Sequence, residues 1–172
     1  PDELTAVEQF GKGDKYFGVA AMLVTGPGLP MLGHGQIEGF AEKYGMEYRR
    51  AQWDEPVDED LVRRHEAEIF PLMRRRPLFS GARHFVFYDF NTVGGSVDEN
   101  VFAYSNRTDD ERALFIYNNS YNTTSGWVRH STRINVGQGG REWFLSMGLA
   151  EGLGLSAEEN RYYLFRDCRE NL

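Results

Sequence analysis

His84-Phe85-Val86-Phe87-Tyr88-Asp89-Phe90 decides the fold, because it is where the pattern of the chain changes to a period of two. After Gly81 that period recurs in Val101-Phe102-Ala103-Tyr104-Ser105, in Ala113-Leu114-Phe115-Ile116-Tyr117 and from Trp127 to Ile134. Clusters of Gly, Asn, Asp and Thr separate these runs, which therefore read as strands joined by turns. A short helix over 142–151 and a last strand over 161–166 complete the expected C-terminal part.

Upstream the period is helical. Leu61, His65, Ile69, Leu72 and Met73 recur at three- and four-residue steps, while Arg63, Arg64, Glu66, Glu68 and Arg74 fall on other faces. The spacing predicts an amphipathic helix over 58–75, with Asp58 near its N-cap and Pro77 ending it. Pro71 predicts a kink or break inside it, because the ring removes a ladder donor. Residues 16–25 are apolar almost all round and meet Gly26-Pro27-Gly28, so they read as a buried helix stopped by Gly and Pro. Leu29-Pro30-Met31-Leu32 reads as a short buried strand opening into a glycine-rich loop, and 36–57 as a long loop. The boundary at 77–82 thus divides a helical, loop-rich part from an antiparallel β part, an α+β arrangement.

The chain has 172 residues, enough for one ordinary domain or a small domain with a piece of another. A whole (β/α)8 barrel needs roughly 250 and is excluded. With 41% hydrophobic and 14% aromatic residues a core can close, which argues against wholesale disorder. A net charge of -7 has the wrong sign for long-range attraction to nucleic acid or anionic lipid, so neither is an expected partner. Cys168 is the single cysteine, which excludes an internal disulfide and a cysteine-based zinc site and points to a reducing, cytoplasmic compartment. No apolar run of about 18 residues occurs, so no membrane span is expected. The opening Pro1-Asp2-Glu3, without Met, suggests a piece of something longer.

Gly28-Leu29-Pro30-Met31-Leu32-Gly33-His34-Gly35-Gln36-Ile37-Glu38-Gly39 is the most informative segment for chemistry. Its glycines permit tight turns around a His and a Glu. The spacing matches neither the dinucleotide nor the P-loop pattern, and no Lys-Ser or Lys-Thr follows, which disfavours a phosphate cradle. Four histidines, His34, His65, His84 and His130, lie too far apart for a local metal motif, so neither metal nor cofactor is expected. His34 is the best functional candidate, weighed against a packed loop histidine; the other three read as structural or exposed. Phe40, Tyr44, Tyr48 and Trp53 surround the same loop and could receive sugar rings, although packing accounts for them as well. Glu38, Glu42, Glu47, Asp54 and Glu55 crowd it, and acidic loop residues are more often solvated or paired than catalytic. Arg74-Arg75-Arg76 reads as a solvated helix end rather than a nucleic-acid patch. Three Asn sequons, at Asn106, Asn118 and Asn122, carry little weight in Asn-rich turns.

The Gly28–Gly39 segment resembles the last strand and following loop of the catalytic barrel in glycoside hydrolase family 13, the α-amylase family. Gly28, Pro30, Gly35, Gln36 and Glu38 carry the match. Arg50-Ala51-Gln52-Trp53-Asp54 is similar to the family's Arg-x-x-x-Trp-Asp stretch, and Ile69 to Leu78 with Gly81 to its final barrel helix. Val101 to Tyr104 with Arg107, then Ala113 to Asn119, are similar to the opening strands of the β-sandwich beyond the barrel. The resemblance implies a fragment: the final helix, strand and helix of a (β/α)8 barrel over 1–79, then an antiparallel β-sandwich over 80–172.

It also implies an activity. The family's seventh strand usually ends Asn-His-Asp, which places Asp2 as a supporting catalytic carboxylate, with Pro1 departing from the usual His. Retaining hydrolysis needs a nucleophile and an acid about 5 to 5.5 Å apart. In the family both come from earlier strands, so the chain alone is expected to be silent. The implied substrate is an oligo- or polysaccharide with α-glucosidic linkages, met by His34, Gln36, Glu38, Tyr44 and Trp53. The competing readings are a non-catalytic β-sandwich module that binds glycan or a partner protein, and a barrel that has become a scaffold. The apolar helix over 16–25 and the stripe on 58–75 have one strand to cover them. Large apolar side chains contribute about 1.5 to 3 kcal/mol each when buried, so the remainder of a parent chain or a second copy is the expected cover.

Overall fold

The computed structural model describes residues 4–43, 50–156 and 158–168. The chain is of mixed α and β structure and divides into two compact units, Pro1–Arg76 and Pro77–Leu172. Among the described residues no helix is long and apolar enough to cross a membrane.

In the first unit, α1 (Ala6–Phe10) is a single turn fixed by a reciprocal cap: the Thr5 hydroxyl accepts from the Glu8 amide, and the Glu8 carboxylate accepts from the Thr5 amide. Helix α2 (Asp14–Thr25) follows and ends at Gly26, where the sequence places the stop. The last carbonyls of a helix have no partner within it. Arg76 supplies one: its guanidinium donates to the Val24 carbonyl at 2.6 Å and also reaches the Gly28 carbonyl. The third member of the arginine run is thus a helix cap, favoured by the negative end of the helix dipole.

Helix α3 (Glu59–Arg64) begins at Asp58, whose carboxylate accepts from the Leu61 amide at 3.1 Å. It does not run on to residue 75 as one helix. Residues His65–Ile69 form a π-helical turn in which the Phe70 amide bonds the His65 carbonyl, and α4 (Phe70–Met73) and α5 (Arg76–Phe79) follow. Pro71 explains the break. In an unbroken α-helix its ring would strike the carbonyl four residues back, and the wider turn removes that clash. The core of the unit is Tyr16, Phe17, Ala20, Val24, Leu61 and Ile69, with Leu72 and Met73 packed against it. Arg64 lies 3.9 Å over the Phe17 ring and pairs with Asp14 and Glu68.

Leu29 to Leu32 are the first correction. They form no strand, and Leu29 and Met31 are 84% and 77% exposed. A strand exists by pairing its backbone with a neighbour, and among the described residues no strand pairs with this segment.

The second unit contains a four-stranded antiparallel sheet in the order β3 (Arg112–Asn118), β2 (Val101–Arg107), β1 (Val86–Thr92), β4 (Gly126–Ser131). Tyr88 opposes Ala103, and Ala103 opposes Ile116. One face gathers Val86, Tyr88 and Ala103 under Leu114, Val128, Met147 and Leu149. Tyr88 is fully buried, and its hydroxyl satisfies itself against Ser105 Oγ at 2.6 Å. On β2 and β3 the next residues along are aromatic, with Tyr104 stacked on Phe115 at 4.7 Å and Phe85 5.3 Å from Tyr104. The period-two runs therefore do form antiparallel strands.

Three expected elements differ from those found. The strand over 127–134 stops at Ser131, whose amide and hydroxyl bond to the Met147 backbone, and a separate two-stranded ribbon pairs β5 (Ile134–Asn135) with β6 (Phe144–Leu145). The helix over 142–151 shrinks to α6 (Leu149–Gly152), because β6 occupies its first half and Gly148 intervenes. Beyond α6, Gly154 at φ +64 closes a Schellman turn, with its amide on Glu151 and the Leu155 amide on Ala150. Residues 161–166 are not a strand: they are exposed and lie in neither sheet.

Gly152 lies against the Tyr88 hydroxyl, so an added Cβ would overlap that buried group. Gly152→Ala is expected to lower stability by about 1 to 3 kcal/mol through overpacking. Gly81→Ala adds its Cβ in open space and serves as the control. Urea unfolding of both variants checks this, and equal midpoints would contradict it.

Candidate functional site

The glycine-rich segment folds as a turn over 33–40 rather than as a strand mouth. Gly35 at φ +71 and Gly39 at φ +80 hold backbone conformations that disfavour other residues. A Cβ on Gly35 would come within 2.7 Å of Phe40, and one on Gly39 within 3.0 Å of Leu61. Two backbone bonds close the turn, Gln36 to Gly33 at 3.2 Å and Phe40 to Gly35 at 2.8 Å.

His34 is exposed at the tip, its ring 6.1 Å from that of Phe40. Gln36 turns inward: its side-chain oxygen accepts from the Gly33 amide at 3.0 Å, and its carbonyl faces the Tyr16 hydroxyl at 3.3 Å. Glu38 is half-buried, and its carbonyl accepts from the Asp58 amide at 2.9 Å. Asp58 also pairs with Lys12 at 2.9 Å. Lys12 and the Leu61 amide hold the Asp58 carboxyl below the usual carboxylate range. Trp53 is 58% exposed. Asp2 and Tyr44, with Glu47 and Tyr48, lie outside the described residues.

The acidic cluster resolves into a clasp. Glu55 accepts from the amides of Ala41 and Glu42, both at 2.8 Å. Glu42 is buried and accepts from the amides of Gln52 and Trp53, at 2.7 to 3.0 Å. Each carboxylate thus neutralises two backbone donors on the opposite side of the loop, and the two together bind residues 41–42 to 52–55. Charge-assisted bonds of this kind are about twice as strong as neutral ones. The oxygens of both carboxylates serve backbone donors.

Beneath the turn lies the pair that the sequence pattern does not reveal. His65 is fully buried, with Nδ1 2.9 Å from the Leu61 carbonyl and Nε2 2.7 Å from the Tyr16 hydroxyl. Phe17 and Phe70 enclose the imidazole. Burial pushes it below its ordinary pKa, opposed by the Leu61 bond and by the carboxylates of Glu38 and Glu68. Burial likewise pushes the Tyr16 phenol up. In sequence His65 sits on the apolar stripe and reads as structural or exposed; it is buried. Its partner lies 49 residues away, and no local spacing announces it.

The sequons separate by accessibility. Asn106 is buried, and its amide nitrogen donates to the Phe79 and Gly81 carbonyls. That of Asn118 donates to the Asn122 carbonyl, and Asn122 is exposed. Among the described residues no group of three His, Cys, Asp or Glu is arranged to hold a metal ion.

The chain matches no protein-family model, no curated protein and no solved structure.

Removing the Glu42 carboxylate leaves the Gln52 and Trp53 amides without their acceptor. Glu42→Ala is expected to destabilise the first unit by about 1.5 to 3 kcal/mol, the range for hydrogen bonds to a charged group. Denaturant unfolding followed by the amide NMR signals of Leu61 and Ile69 checks this, and a midpoint within error of the parent chain would contradict it.

Proposed function

We propose that the chain is part of an α-amylase-like glycoside hydrolase acting on α-glucosidic linkages by a retaining two-carboxylate mechanism. On this reading residues 1–79 belong to the end of a (β/α)8 barrel and 80–172 to an antiparallel β-sandwich. The nucleophile and general acid are supplied from outside this chain, and Asp2 is the supporting carboxylate. His34, Glu38 and Trp53 are read as meeting the sugar, Tyr44 joins them on the resemblance alone, and Gln36, whose side chain serves the Gly33 amide, shapes the turn.

The observation that carries the proposal is the division of labour around the glycine turn. Glu42 and Glu55 accept from backbone amides, and His34 and Trp53 are exposed to solvent. An imidazole can hydrogen-bond sugar hydroxyls, and an indole can receive the apolar face of a ring. Such a loop binds without cleaving, as expected of one wall of a site whose reactive carboxylates stand elsewhere. Exposed Leu29 and Met31 beside it suit cover by the remainder of a parent chain or a second copy. No nucleic acid, membrane or cofactor enters this reading.

The second reading, a non-catalytic module for glycan or a partner protein, rests on the second unit. There Trp127 carries the Arg129 guanidinium 4.9 Å over its ring, and Trp143 is exposed.

The test is titration of the isotopically labelled chain with maltotriose, with hydrolysis assayed in parallel. The proposal predicts no cleavage and amide shifts confined to 33–40 and the surroundings of Trp53, lost in Trp53→Ala. Shifts confined to Trp127 and Trp143 would favour the second reading. Cleavage abolished by replacing an internal acid would contradict the proposed division of labour.

A further inference from the structure

The buried contacts beneath the turn hold one more acceptor than the neutral side chains can serve. Four groups stand in a row: the Leu61 carbonyl, the His65 ring, the Tyr16 hydroxyl and the Gln36 carbonyl. The three contacts between them measure 2.9, 2.7 and 3.3 Å. A neutral imidazole brings one hydrogen and a phenol brings one. Two hydrogens cannot fill three contacts. With the ring hydrogen on Nδ1 toward Leu61, Nε2 must accept, so the Tyr16 hydrogen goes to His65 and the Gln36 contact is left long. The three distances have that order. A protonated His65 has hydrogens on both nitrogens, and then Nε2 donates to Tyr16, releasing the phenolic hydrogen for Gln36.

We propose that Tyr16 and His65 form a proton-operated latch on the glycine turn: protonation of His65 redirects the Tyr16 hydroxyl onto the Gln36 carbonyl and fastens the turn that carries His34 and Glu38. The proton enters at Nε2, no covalent bond other than N–H forms, and the phenol stays neutral throughout.

The surroundings set the sign and the window. Helix α2 presents Tyr16 and Phe17 to the ring, with Asp14 held by Arg64. The turn presents Glu38, and the helix of His65 itself presents Arg64 and Glu68. Burial outweighs the two carboxylates, so His65 titrates below its ordinary value of about 6.5. A group whose folded pKa is depressed binds fewer protons when folded. The stability of the first unit is therefore fully present above about pH 6.5 and falls as pH drops from there through the folded pKa. The latch closes locally at the lower end of that window, while the unit as a whole becomes easier to unfold.

Histidine ring nitrogens and the Gln36 carbonyl carbon of the full 172-residue chain, followed by NMR against pH, test this. The expected result is a single midpoint below about 6.5 shared by both, with the Gln36 carbonyl moving in the direction of stronger hydrogen bonding on acidification. Tyr16→Phe keeps the ring in the core, and it should abolish the Gln36 response while His65 still titrates. His65→Gln should abolish the response as well. A His65 ring that stays neutral until the chain unfolds, or that titrates while Gln36 does not move, would overturn the proposal in the parent chain alone. So would a Gln36 response that survives in either variant.

Discussion

A hydrogen bond of 2.7 Å between the Tyr16 hydroxyl and the His65 imidazole, sealed from water, is the contact on which the first unit depends. Buried polar groups without partners are costly, typically by about 1 to 3 kcal/mol. The two side chains therefore fix each other, and with them the spacing of α2 from the turn that follows α3. The π-helical turn at His65–Ile69 belongs to the same constraint. Pro71 demands a widened turn just upstream of itself, and that turn begins at the histidine. The glycine loop is then laid over the pair, with the Gln36 carbonyl reaching down to Tyr16 and the Glu38 carbonyl tied to Asp58.

Local patterns were legible where their cause is local. The stop of α2 at Gly26, the Asp58 cap, the disturbance at Pro71 and the strands within 86–118 follow from residues near in sequence. What failed depended on partners far away. Leu29 to Leu32 are apolar enough for a strand, but among the described residues no strand pairs with them, and the same holds for 161–166. Trp143 to Leu145 satisfy a helical pattern, yet ribbon pairing with Ile134 and Asn135 decides them.

The site shows the same division. The glycines at 35 and 39 announce a tight turn, and His34 stands at its tip. The roles of Glu42 and Glu55 could not be read, because an acid that caps backbone amides 10 to 14 residues away leaves no spacing signature. A carboxylate in a loop therefore says less about chemistry than the donors around it. Here those donors are main-chain amides, and His34 and Trp53 are exposed.

The Tyr16–His65 pair supports the turn from beneath. Native-state hydrogen exchange of the Phe40 and Asp58 amides, which bond to the Gly35 and Glu38 carbonyls, tests it most directly when the parent chain is compared with Tyr16→Phe. With His65 protonated, so that the Tyr16 hydroxyl serves Gln36, faster exchange is expected at both amides in the variant, with the Ser105 amide of the second unit unchanged. Equal protection of Phe40 and Asp58 in the two proteins would contradict it.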